Sequence, residues 1–279
     1  MRIPDEVRKC VVFVGCKTEK GLRWGGTAFF VGIPTSRAGV QFHYLVTAKH
    51  VIEKISKESS DHQVYLRINK KDNTTDLINI PVENWKFHPS DSSVDAAVVT
   101  ISFPEADYLL VLESTAVSEE LQRKMDIGVG DEVFLTGLFV SHIGSKKNIP
   151  IVRRGNIAAM PEQPVETEVG AMEAYLVEVR SIGGLSGSPV FVHLGPVRIN
   201  PESGHYQMLQ NNYFYWLGLT HGHWIVKPSR VAQDSSGEEA VNMGIAIVVP
   251  ASKILEVINQ PIYVEARKKW EEDLLAGKV

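Results

Sequence analysis

From Val11 to Val249 the chain is a succession of short apolar or alternating runs, each broken by clusters of Asn, Asp, Gly, Pro and Ser. The runs 11–15, 26–32, 41–47, 63–69 and 96–101 are rich in β-branched and aromatic residues, which predicts strands. The runs 132–138, 152–158, 174–179, 189–193, 215–220 and 243–249 repeat the style. Many strands and few helical patterns point to barrel or sandwich architecture rather than alternating βα units. Such all-β units often exceed 200 residues, so the 279 residues here fit one structural unit.

Segment 109–126 is acidic and weakly patterned, and the turn at 128–131 launches a new strand. The expected organisation is a first β lobe over 1–115, a second over 116–250 and a helical extension over 251–279. In that extension Ile254, Leu255 and Ile258 have helical spacing, Pro261 interrupts, and 264–275 is charged and helix-prone. A closing amphipathic helix with a solvated extension is expected, in preference to a partner-binding segment. Two polar loops, 195–212 and 226–241, are long enough to suggest functional or mobile segments.

The net charge of −4 is too small to select partners by field, and no basic run interleaved with aromatics suggests nucleic acid. No apolar run approaches the length of a membrane span. Cys10 and Cys16, the only cysteines, sit at the two ends of one apparent strand, about 20 Å apart and beyond disulfide reach. Free thiols fit a reducing compartment, and residues 1–6 lack a signal-peptide pattern, so a cytoplasmic location is expected. The histidines lack metal-ligand spacing. His221 and His223 share a strand face but have no nearby third ligand, so neither a metal nor a cofactor is expected.

The segment Gly183-Gly184-Leu185-Ser186-Gly187-Ser188-Pro189 has the makings of a nucleophile turn. Ser186 is followed directly by Gly187, lies in a Gly-rich turn and precedes an apolar strand. The N–H groups of Gly184 and Ser186 are candidates for an oxyanion hole. A serine hydroxyl needs a general base, and that base needs an orienting group. His50 ends the apolar run from Tyr44, and Asp95 opens the apolar run Ala96–Ile101, where a carboxylate is costly without a partner.

Thr47-Ala48-Lys49-His50, Asp95-Ala96-Ala97-Val98 and Gly184-Leu185-Ser186-Gly187-Ser188-Pro189 resemble, in that order, the histidine, aspartate and serine motifs of trypsin-like serine proteases. Gly25–Phe30 resembles the strand before the histidine. Gly244–Pro250 with Ile254 and Leu255 resembles the last strand and closing helix, most like bacterial, disulfide-free members. The resemblance covers residues 8 to 260. It implies an all-β fold of two antiparallel six-stranded barrels with a C-terminal helix and the site between them. It further implies a serine endopeptidase with His50 as base and acid, Asp95 orienting it and Ser186 forming the acyl-enzyme. Leu185, Ser188 and Lys49 depart from the commoner residues at their positions. An apolar Leu185 argues against activation by N-terminal trimming.

By the same resemblance, the substrate pocket is walled by Arg180–Ile182, Thr220–His223 and the strand with Gly244. Arg180 with His221 or His223 would suit an acidic P1 side chain, against the simpler reading that Arg180 faces solvent or pairs with Glu178. The strand 220–223 is expected to pair with substrate backbone. The partners expected are a protein or peptide substrate and a regulatory protein. The alternative is a catalytically silent or latent module of the same fold used for binding.

Overall fold

The computed structural model describes residues 2–167, 170–180, 183–200, 203–208, 213–226 and 241–276. The side chains at 207, 213, 223–226 and 241–243 lie outside that description. The chain opens with a 3₁₀ turn and then builds β1 (Val11–Thr18), β2 (Gly21–Pro34) and β3 (Gln41–Thr47). Helix α1 (Lys49–Glu58) follows, then β4 (Gln63–Asn69), β5 (Thr75–Pro81), β6 (Lys86–Phe87), β7 (Ala97–Thr100) and β8 (Val111–Leu112). These strands form one sheet in the order β5-β4-β1-β2-β3-β7-β6, with β8 added in parallel to β2.

This sheet is not the closed six-stranded barrel expected. Its edge strands β5 and β6 are joined by residues 82–85 alone, which can span no more than about 17 Å. Laid flat, the seven-strand path would place those edges about 29 Å apart, so the sheet must curl. It stops short of closing: β5 ends at Pro81, which has no N–H to extend a ladder, and a 3₁₀ turn at Val82–Asn84 follows.

After the short helix α2 (Glu119–Met125) come β9 (Glu132–Gly137), β10 (Ile151–Ala159), the hairpin β11 (Val165–Thr167) and β12 (Gly170–Met172), β13 (Tyr175–Glu178) and β14 (Pro189–Leu194). A second hairpin, β15 (Val197–Ile199) and β16 (Tyr206–Met208), precedes β17 (Tyr213–Val226) and β18 (Val241–Pro250). Six strands close a barrel in the order β10-β13-β18-β17-β14-β9. Helices α3 (Ala251–Ile258) and α4 (Pro261–Leu275) end the described chain, and Pro261 starts α4 at a position where its missing N–H costs nothing. No helix among the described residues is long and apolar enough to cross a membrane.

The period-2 alternation of the barrel strands divides its apolar side chains between two cores. Val133, Leu135, Ala246 and Val248 fill the barrel interior. Their neighbours Phe134, Ile247 and Val249 face outward into a second core shared with the first sheet and α3. Trp216 of β17 meets Phe29 of β2 edge to face at 5.6 Å, and both are fully buried. Each such side chain contributes about 2–3 kcal/mol of transfer free energy, enough to hold the two sheets in fixed relation. Cys10 and Cys16 are buried free thiols.

Candidate active site

The site forms where the first sheet meets the barrel. His50 is the second residue of α1, whose N-cap, Ala48, has no side-chain acceptor. The first N–H groups of a helix lack intrahelical partners. Asp95, in the loop before β7, fills that role: its Oδ1 accepts the His50 backbone N–H at 2.8 Å. Its Oδ2 lies 2.7 Å from His50 Nδ1. One carboxylate therefore fixes both the helix start and the imidazole. A carboxylate oxygen only accepts, so Nδ1 carries the proton and Nε2 keeps its lone pair in the neutral ring.

Asp95 is 3% exposed. Burial pushes its carboxyl pKa up, but hydrogen bonds from His221 and His50 outweigh that and hold it well below the usual carboxylate range. Lys49 has a local explanation as well, because its Nζ donates to the Ser92 carbonyl at 3.0 Å and so pins the loop that delivers Asp95.

His221, expected to wall a pocket, places Nδ1 2.5 Å from the same Asp95 Oδ2, with its ring 5.1 Å from that of His50. Two imidazoles thus share one carboxylate oxygen.

The Ser186 turn is held from both sides. Thr27 of β2 donates its N–H to the Ser186 carbonyl at 3.0 Å and its hydroxyl to the Gly184 carbonyl at 2.8 Å. That hydroxyl also accepts the Leu138 N–H at 2.9 Å. From the barrel, Gly187 N–H donates to the Thr220 carbonyl at 2.8 Å. Gly187 has φ +82°, and a Cβ there would lie 2.2 Å from Thr27 O and 2.4 Å from Thr47 Oγ1. The turn therefore rests on the residues that lead into α1 and His50. Gly184 has φ +97°, and among the described residues neither its N–H nor that of Ser186 donates to a protein acceptor. Ser186 is half-buried, and its hydroxyl makes no hydrogen bond to His50.

The other expected residues are placed as follows. Arg180 is exposed at the end of β13, and residues 181–182 of its wall lie outside the described residues. Thr220 is buried, and its backbone is occupied by Gly187 and Ser188. Gly244 gives its carbonyl to Val179 N–H at 2.7 Å. His223 pairs with Ala246 through β17, but its side chain lies outside the description. Pairing of β17 with β14 stops at Leu219 while β17 runs on to Val226, so the β17 edge beyond Leu219 has no β14 partner. Sequence reasoning missed Thr27 as a support and His221 as a partner of Asp95. Both contacts join segments far apart in the chain, and no local pattern signals them.

His50, Asp95 and His221 thus lie close together in a mostly β protein with a closed six-stranded barrel. No family model matches the sequence, and no curated protein matches it. Among solved structures the chain is similar to the crystal structure of the MamO protease domain from Magnetospirillum magneticum (apo form), with 14% identity and a TM-score of 0.49. The match covers 90% of this chain and 96% of that one.

Proposed function

We propose that the protein is a trypsin-like serine endopeptidase, with His50, Asp95 and Ser186 as its triad. The observation that carries the reading is the His50–Asp95 pair. A buried carboxylate holds the imidazole through Nδ1 at 2.7 Å and holds the backbone beneath it at 2.8 Å. That leaves Nε2 as the acceptor a general base requires. Further support comes from the Ser186 turn docked against Thr27 and Thr47, with two unengaged N–H groups beside the hydroxyl.

In this reading Nε2 takes the hydroxyl proton as Ser186 Oγ bonds to the scissile carbonyl carbon. The oxyanion receives the Gly184 and Ser186 N–H donors. His50 then returns the proton to the leaving amine as the C–N bond breaks, and water hydrolyses the acyl-enzyme by the same steps. Substrate backbone would lie along the β17 edge beyond Thr220, whose own backbone is already taken by Gly187 and Ser188. With His221 engaged by Asp95, an acidic P1 preference rests on Arg180 with His223, whose side chain lies outside the described residues. A cytoplasmic setting is supported only by the two buried free thiols. A dedicated protein substrate or regulatory partner remains part of this proposal.

A second reading, a latent or silent module of the same fold, is favoured by one observation: the Ser186 hydroxyl does not reach His50. Incubation with a fluorophosphonate probe and a mixed peptide library, wild type beside Ser186→Ala, separates the two. Labelling and cleavage by wild type alone are expected, since losing such a nucleophile costs ~10⁶ in turnover. No labelling of wild type would leave the latent or silent reading in place. Cleavage after Phe, Leu or Lys with none after Glu or Asp would remove the acidic preference.

A further inference from the structure

We propose that His50, Asp95 and His221 form a binding site for one divalent transition-metal ion of the zinc class, and that the ion switches the base off. Two imidazoles and a carboxylate are a three-ligand set that zinc takes with a water in the fourth position. The three donor atoms lie within 4.8 Å of one another. Bonds of about 2.0–2.2 Å in a tetrahedron need donors about 3.3 Å apart, so adjustments on the order of 1 Å complete the shell.

Charge argues for the same site. The ion pairs of Asp95 run to the two imidazoles only, and among the described residues no Lys or Arg reaches it. An imidazole gives a carboxylate a counter-charge only when it is protonated, whereas a divalent ion supplies one in every state of the rings. The other histidine–carboxylate pairs differ. Glu256 beside His88 already holds Lys253, and Glu132 beside His193 already holds Arg154. The His50 backbone N–H on Oδ1 fixes the carboxylate from behind, as outer partners of metal ligands do. His50 is 31% exposed, which gives an ion and its water a way in.

Coordination at Nδ1 uses the lone pair where a proton now sits. In each neutral ring that proton passes through solvent to Nε2, with none released overall. His50 Nε2 then becomes a donor and no longer accepts the Ser186 proton. This last step rests on the protease reading, whereas ion binding does not.

The test is calorimetric titration of zinc chloride into full-length Ser186→Ala protein at neutral pH. One ion per chain is expected. His221→Ala in that background should weaken binding ~100-fold or more, while His88→Ala should leave it unchanged. His221→Asn, which retains an N–H donor for Asp95 but not the imidazole, should behave as His221→Ala does and guards against misfolding. No stoichiometric binding at tens of micromolar, or binding by both His221 variants as tight as that of the Ser186→Ala parent, overturns the site. In wild type, zinc should suppress fluorophosphonate labelling and a chelator should restore it. Undiminished labelling at saturating zinc overturns the switch. A wild type that never labels speaks against the protease reading, and the titration still decides the site.

Discussion

Thr27 spends both its hydroxyl and its backbone on the Ser186 turn, and it is fully buried. Thr27→Val keeps the shape but strands the Gly184 carbonyl and the Leu138 N–H. Each unpaired buried group costs about 1–3 kcal/mol, so the variant should lose about 2–6 kcal/mol in urea unfolding and label more slowly. Thr27→Ser should recover most of both, and a valine variant as stable as wild type would show the bonds to be dispensable. Asp95 offers a pH test. Its pKa is lowered on folding, so its stabilisation is present above the unfolded value near 4 and is lost as pH falls towards the folded value. The urea midpoint of wild type should therefore decline between about pH 4 and 2, and Asp95→Asn should flatten that decline. Equal slopes would assign the acid sensitivity to other carboxyls held low, such as Glu132 and Glu256.

At the scale of elements, the turn carrying Ser186 depends on Gly187. Alanine there meets backbone and the Thr47 hydroxyl at under 2.5 Å and must adopt φ +82°. Gly187→Ala should cost at least ~1–2 kcal/mol and abolish labelling by lifting the turn off the first sheet. Labelling at the wild-type rate would refute that account. The strands flanking the three motifs were legible because their apolar residues cluster locally, and β3 and β4 match the expected spans 41–47 and 63–69. Helix α1 was not. Tyr44, Leu45 and Val46 run on through Ala48 into Val51 and Ile52, and the eye reads one strand. Only Ile55, buried with them, marks the helical spacing. Strand β5, with Ile80 alone buried, and the hairpin of β15 and β16 inside an expected loop lack the apolar alternation that announces a strand. The tie of His221 to Asp95 was not legible, because it spans 126 residues of chain.

For the whole molecule, the C-terminal helices strap the barrel to the first sheet. Ile254, Val257 and Ile258 of α3 lie in the shared core. In α4, Tyr263 donates to the Val98 carbonyl at 2.9 Å, Arg267 donates to Tyr44 Oη at 2.7 Å, and Trp270 packs on Phe42. The segment expected as a solvated extension is therefore docked. Tyr263→Ala removes a ring 6% exposed and should lower stability by about 3–5 kcal/mol in denaturant unfolding. A loss under about 1 kcal/mol would show that α4 only rests on the surface. The order of strands also sets a timetable. A chain growing from its N-terminus has every strand of the first sheet by Leu112. It cannot close the barrel until β18 is made at Pro250. The Ser186 turn thus sits on a closed barrel only after residue 250 is made, and a shorter nascent chain carries the groups of the site without the finished site.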